Sequence, residues 1–241
     1  MHRTEHIPDQ APGCAPAGGE PELGNYFVAA YPPFSAWSGA ARPSLHEVLA
    51  HDQEAHAVPL GLYVHIPFCQ KKCDYCYYLS YIGQPAPVVN RYLDALLAEA
   101  DLLAGRPAVE GRPLAFAYFG GGTPSMLGRT QVRHLLGGLR RCFCWDGIGE
   151  VTFECAPRSV SPEFLAVLRE SGVTRLSMGV QSFDDDLLAT NGRMHLAVDV
   201  RRAFRLIREA GFDCVNLDLM CGLLGETEAL WRESIRQAIE L

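Results

Sequence analysis

"LGLYVHIPFCQKKCDYCYY", residues 60–78, is the stretch that decides the fold. It opens with the short apolar run "LGLYVHI", fit for a buried strand. Immediately afterwards it places three thiols, Cys69, Cys73 and Cys76, at C-x3-C-x2-C spacing. A structural zinc site needs four ligands and usually shows two paired-cysteine knuckles. Here one compact group of three stands without a second pair. In a reducing cytosol, clustered thiols more often bind metal or do redox chemistry than form disulfides. Three thiolates can hold three irons of a 4Fe–4S cluster and leave the fourth iron to a non-protein ligand, and soft sulfur suits that chemistry. The bland alternatives are a zinc loop or three cysteines placed by chance.

Outward from this loop, strand and helix patterns alternate. "VVNRYLDALLAEADLLAG" (88–105) has apolar residues at helical spacing and ends at a glycine. "LAFAYF" (114–119) reads as a strand and "RTQVRHLLGGLRRCF" (129–143) as a helix. "EVTFEC" (150–155) is a strand, and "SPEFLAVLRESG" (161–172) a helix with a Ser cap, a Pro in its first turn and a Gly stop. "TRLSMGV" (174–180) is a strand, followed by helices over 183–192 and 196–211. "CVNLDLMCG" (214–222) is a strand and "ETEALWRESIRQAIEL" (226–241) a helix. Continuous apolar strands alternating with helices imply a parallel sheet under helices, and right-handed crossovers would wind it into a barrel or partial barrel. The expectation is therefore an α/β, TIM-like partial barrel of about five βα units, occupying residues 58–241.

Residues 1–57 read as an N-terminal extension. Residues 1–24 are rich in Pro, Gly and Ala and read as disordered. Residues 25–57 carry the aromatic "NYFVAAYPPFSAW" and a helical "SLHEVLAHDQ", expected to form an arm on the main domain. With 241 residues, about half of them hydrophobic, the chain can bury one sizeable core. A net charge of -7 and no basic run disfavour nucleic acid as a partner. No stretch of about 20 apolar residues is present to cross a membrane. The N-terminus lacks the apolar core of a signal peptide, so a cytoplasmic location is expected. Of the remaining cysteines, Cys214 and Cys221 read as small core residues. Cys142 and Cys144 read as the packed end of a helix.

Barrel chemistry sits at the C-terminal ends of strands, and several strand ends carry distinctive groups. "YFGGGTPSML" sets Gly120, Gly121, Gly122 and Thr123 after the second strand. Glycines let a ligand approach backbone N–H groups closely, though a tight strand-to-helix turn would also use them. Glu154 closes the third strand in "EVTFECAP", either as a solvated rim residue or as a ligand group. Gln181 follows the fourth strand, Arg193 lies in "TNGRMH", and Asp218 sits inside an apolar fifth strand, where a buried lone carboxylate is costly unless paired or used.

The cysteine spacing after a first barrel strand resembles the radical S-adenosylmethionine (SAM) superfamily. The order of "LYVHIPFCQKKCDYC", "YFGGGTPSML", "VTFECAPRSV", "RLSMGVQSFDDDLL", "GRMH" and "LDLMCGL", over about residues 60–230, resembles its oxygen-independent coproporphyrinogen III oxidase (HemN-like) group. The resemblance implies a 4Fe–4S cluster on Cys69, Cys73 and Cys76. It implies SAM chelated by the open iron and cleaved to a 5′-deoxyadenosyl radical that abstracts hydrogen from a small-molecule substrate. Tyr63 would contact SAM beside the cluster, and Tyr75 would flank the adenine or the cluster. Gly121, Gly122, Thr123, Glu154, Gln181, Arg193 and Asp218 would line the SAM pocket. The resemblance also implies a reductant such as flavodoxin or ferredoxin.

Three features depart from the group. The coproporphyrinogen enzymes carry a further cysteine where this chain has Tyr78, which counts against porphyrinogen decarboxylation. The 57-residue lead counts against a simple haem chaperone of the related branch; for haem ligation His65 and His195 are the candidates. The sequence also stops before the group's expected sixth strand. Natural-product methyltransferases and cyclopropanases, which share the missing cysteine and a leading arm, are the other branch in view.

Overall fold

The structure, a computed structural model, describes residues 42–50, 58 and 60–241, the side chains of residues 42–45 excepted. Contacts divide the chain into two units, Met1–Leu45 and His46–Leu241. Most of the expected arm, with its disordered and aromatic stretches, lies outside the described residues. Within it α1 (Arg42–Ala50) is helical, as its pattern predicts.

The main unit follows the alternation read from the sequence. Strand β1 (Leu60–Ile66) leads into the cysteine loop, where two short strands, β2 (Phe68–Cys69) and β3 (Tyr81–Ile82), pair in parallel. Then come α2 (Ala86–Ala104), β4 (Leu114–Gly121), α3 (Arg129–Cys142), β5 (Glu150–Cys155), α4 (Pro162–Glu170), β6 (Arg175–Gln181), α5 (Asp185–Thr190), α6 (Ala197–Glu209), β7 (Cys214–Leu219) and α7 (Glu228–Ile239). The five long strands form one parallel sheet in the order β1-β4-β5-β6-β7. This is a partial barrel of five βα units.

The local signals behave as their chemistry requires. Ser161 caps α4, its hydroxyl accepting from the Phe164 N–H at 3.3 Å, with Pro162 in the first turn. Asp184 caps α5 by accepting from the Leu187 N–H at 2.7 Å. One face of the sheet is sealed by helices: Leu93 of α2, Leu135, Leu136 and Leu139 of α3, Leu165 and Leu168 of α4 and Ile207 of α6 are fully buried. They share one core with Ile66, Phe119, Phe153, Leu176 and Met178 of the strands. Each such side chain contributes about 1.5–3 kcal/mol on leaving water. The other face stays open, with Tyr63 and Phe116 exposed on it.

Some expectations need correction. Cys214 and Cys221 are exposed rather than core residues. Cys214 opens β7, which has no strand beyond it in the sheet of described residues, and Cys221 lies in the turn that follows. Asp218 is likewise exposed rather than buried, because β7 turns it to the open face. The β2–β3 pair had no sequence signal, each partner being two residues long. The packed helix end at Cys142 and Cys144 is found: Cys142 ends α3, and Cys144 bridges to Pro113. No described helix is long and apolar enough to cross a membrane.

Candidate functional site

The C-terminal ends of the strands converge on a cavity of about 260 Å³. It gathers Cys69, Cys73, Cys76 and Tyr75 from the cysteine loop, Gly121, Gly122 and Thr123 from the turn after β4, and Glu154 from β5. Gln181 from β6, Arg193 from the α5–α6 corner and Asp218 from β7 complete it. Of the residues expected to hold the cluster or SAM, Tyr63 alone does not line it.

The cysteine loop and the glycine turn are stitched together by backbone. The Gly122 N–H donates to the Ile66 carbonyl and the Thr123 N–H to the Phe68 carbonyl, both at 2.8 Å. The Thr123 hydroxyl points at the Cys69 sulfur, 3.6 Å away. These contacts leave no room for side chains. A Cβ on Gly122 would stand 2.9 Å from Cys69 Sγ, and one on Gly121, whose φ is +113°, would meet the His65 ring at 2.7 Å. Here glycine serves close approach as well as turning. Cys73 is held from the far side of the sheet: Arg193 donates to its sulfur at 3.2 Å and to the Gly179 carbonyl at 2.7 Å. The same corner is pinned by Asn191, whose backbone carbonyl accepts from the Asp74 N–H and whose side chain ties Leu187 to Leu224.

Glu154 is mostly buried. It accepts from the Tyr118 hydroxyl at 2.8 Å and from the Gly121 N–H at 3.2 Å. Burial pushes its carboxyl above the ordinary value, with Asp218 adding repulsion, against the lowering effect of those two donors. Asp218 is satisfied by the Ser177 hydroxyl at 2.9 Å and the Asn216 amide at 2.6 Å. Tyr118, Ser177 and Asn216 went unnoticed in the sequence. Strand register was the missing signal, since Glu154 pairs with Ser177 and Ser177 with Asn216 across neighbouring strands. Gln181 sits at φ +67°, the one described non-glycine residue in the left-handed region. Its strain coincides with a register shift at the end of β6, a device that re-aims a strand end at functional sites.

Tyr75 buries its hydroxyl beside Cys73 and Arg193 without a well-formed hydrogen bond, and burial raises its pKa. Tyr63 is 55% exposed. It bonds His65 Nδ1 at 3.0 Å and stacks on Tyr118, so it reaches the cavity only through the Tyr118–Glu154 pair. Its phenol is pushed up to about 12, first by burial and then by Glu154. Of the two histidines, His195 is buried with Nε2 on the Val180 carbonyl, and His65 is half-buried.

A sequence profile of the radical SAM superfamily matches residues 63–238. The chain belongs to the radical SAM superfamily. Within it, the relatives are the HemN-like proteins that the motifs resemble. The heme chaperone HemW of Bacillus subtilis is 41% identical over 181 residues, covering 74% of this chain and 47% of its own length. The oxygen-independent coproporphyrinogen III oxidase of Synechocystis is 32% identical over 212 residues, covering 88% of this chain and 45% of its own length. The solved structure of Escherichia coli coproporphyrinogen III oxidase (HemN) superposes with a TM-score of 0.73 at 32% identity, covering 83% of this chain and 44% of that one. The chain therefore spans about half the length of the curated relatives it matches. The chaperone of Bacillus subtilis matches about three quarters of the chain at the higher identity, and the Synechocystis oxidase matches more of it.

The superfamily's cofactors are a 4Fe–4S cluster and SAM, and the donor set fits both. Three free thiols open on one cavity, two glycines clear the approach, and a buried tyrosine hydroxyl stands unpartnered in the same wall. Among the described residues no three His, Cys, Asp or Glu side chains close around a single ion. That is compatible with a multi-iron cluster, which spreads its cysteines wider than one ion's shell.

Proposed function

We propose that this chain carries the SAM-cleaving site of an oxidoreductase related to oxygen-independent coproporphyrinogen III oxidase. The observation that carries the reading is the meeting of three thiols, a glycine-lined backbone turn and Glu154, Gln181, Arg193 and Asp218 in one cavity at the strand ends. The chemistry supplied by the bound cofactors is reductive cleavage of SAM to methionine and a 5′-deoxyadenosyl radical, which takes a hydrogen atom from substrate.

The residues divide this work. Cys69, Cys73 and Cys76 would hold three irons as thiolates. Arg193 would hold the Cys73 sulfur in place through its hydrogen bond at 3.2 Å. The backbone at Gly121, Gly122 and Thr123 would receive the methionyl end of SAM, since no side chain intervenes there. Glu154 has acceptor capacity left beyond its two donors and would hold the ribose hydroxyls. Gln181, Arg193 and Asp218 would line the rest of the pocket, with Tyr75 beside the cluster. Tyr63 would steady the Tyr118–Glu154 pair from behind.

The test is anaerobic reconstitution with iron and sulfide, reduction with dithionite, addition of SAM, and assay of 5′-deoxyadenosine. Wild type should form it, and Cys73→Ala should form neither product nor the visible absorption of a cluster. A Cys73→Ala protein that binds a full cluster and cleaves SAM would overturn the reading.

A second reading is haem binding of the chaperone kind, favoured by the 41% identity to a heme chaperone and by Tyr78 at the position of the oxidases' additional cysteine. Of its two candidate ligands, His195 has Nε2 engaged inside the core, which leaves His65 as the more available imidazole. Titration with haem separates the readings: a Soret shift lost in His65→Ala supports the second, and no shift removes it.

A further inference from the structure

The open face of the sheet carries a polar row across three neighbouring strands. Alternate residues of a strand share a face. The register sets Glu154 of β5 beside Ser177 of β6, and Ser177 beside Asn216 of β7, two residues before Asp218. Ser177 is 2% exposed, so its hydroxyl must find partners within the protein.

The direction of the hydrogen bonds in this row is fixed by what each group can give. An ionised carboxylate only accepts. Asp218 Oδ2 accepts from the Ser177 hydroxyl at 2.9 Å, and Oδ1 from the Asn216 amide at 2.6 Å. The same amide nitrogen donates to the Ser177 oxygen at 3.0 Å. Both amide hydrogens of Asn216 and the one hydroxyl hydrogen of Ser177 are then committed. Turning the amide over would set its oxygen against a carboxylate and lose both donations. The triangle therefore has one orientation, with every hydrogen directed to Asp218, either straight or through Ser177.

Asp218 needs such a hold. It is exposed, and it lies on β7, the last strand of the described sheet, where a free side chain would exchange among rotamers. Glu154, which lines the same cavity, repels it when both are ionised, and that repulsion helps raise the Glu154 carboxyl. The triangle ties both Asp218 oxygens, yet each keeps a lone pair for a ligand. A group ordered before binding costs less to fix when the ligand arrives.

We propose that Ser177 and Asn216 are positioning residues of this cavity, which hold the Asp218 carboxylate in the orientation that accepts a hydrogen bond from a donor group of SAM. The proposal rests on the SAM reading given above.

The test measures SAM binding by calorimetry to the reconstituted chain, with iron content as a check that each variant has kept its cluster. Ser177→Ala and Asn216→Ala should each weaken SAM about tenfold. Ser177→Thr, which keeps the hydroxyl on a side chain suited to a strand, should restore most of the affinity. In an Asp218→Ala background, Ser177→Ala should cost nothing further, because the carboxylate it orients is gone. A residue that merely supported the sheet would cost the same in both backgrounds. Equal losses in the two backgrounds would overturn the proposal, as would wild-type affinity in both Ser177→Ala and Asn216→Ala. If Ser177→Ala loses its cluster, Asn216→Ala in the two backgrounds decides by the same criterion. If wild type binds no SAM, the SAM reading fails. The hold on Asp218 is then decided by urea unfolding of Ser177→Ala, Asp218→Ala and the double variant: non-additive losses support it and additive losses overturn it.

Discussion

Lowering the pH from about 7.5 to 4.5 should cost the fold about 2.5 kcal/mol through one side chain, His195. The imidazole is 4% exposed and its Nε2 donates to the Val180 carbonyl at 3.0 Å. Burial, helped by the positive charge of Arg193, lowers its pKa from 6.5 to about 4, against the opposing pull of the Val180 carbonyl, Asp199 and Asp185. The unfolded chain therefore takes up this proton first. The stability contributed by the neutral ring is complete above pH 6.5 and is lost as the pH falls through about 4. At about 1.4 kcal/mol per pH unit the full loss is about 3 kcal/mol, most of it spent by pH 4.5. The assay is urea unfolding of wild type and His195→Asn at several pH values, followed by circular dichroism. Carboxylates titrate alike in both, so their difference in stability isolates the ring. That difference should shift in favour of the variant by about 2.5 kcal/mol across the range. A difference constant to within about 0.5 kcal/mol would refute the argument.

Three further outcomes follow from the site. Gly122→Ala sets a Cβ 2.8 Å from the Phe68 carbonyl oxygen and 2.9 Å from Cys69 Sγ; it should destabilise by about 1–3 kcal/mol in urea unfolding and lower the iron content after reconstitution. Glu154→Gln removes a carboxyl whose pKa burial raises, a group whose contribution is present below its ordinary value and lost as pH rises through the raised one. The variant should thus gain stability relative to wild type as the pH rises above 4.5, while calorimetry shows SAM binding weakened about tenfold. Arg193→Lys can keep at most one of the contacts to Cys73 and Gly179; it should cost about 1–3 kcal/mol and speed loss of the cluster's visible absorption in air.

The fold was largely legible because its signals are local. Five apolar runs alternating with capped helices leave little but a parallel sheet, and Ser161, Pro162 and Gly172 mark one helix's ends from sequence alone. The cysteines and glycines were legible because function crowds them into short motifs. What escaped depends on register or on partners far along the chain. Tyr118 looks like any strand aromatic until β4 is laid beside β5, where its hydroxyl finds Glu154. Asp218 read as buried because the strand around it is apolar, whereas its own side of β7 faces the open side of the sheet with Ser177 and Asn216 at hand. Cys214 read as core for the same reason, and the edge position of β7 reverses it.

The Arg193–Cys73 contact has a consequence in time. Its partners are 120 positions apart. At ribosomal rates of about 5–20 residues per second, Cys73 exists for about 6–24 s before Arg193 has been made. During that interval no guanidinium covers the sulfur and the α5–α6 corner cannot close on the cysteine loop. A nascent chain thus presents its three thiols bare, open to oxidation or to the wrong metal. Iron and sulfide delivered after the corner closes meet a finished cradle, so the order of assembly, as much as the choice of ligands, guards what the thiols receive.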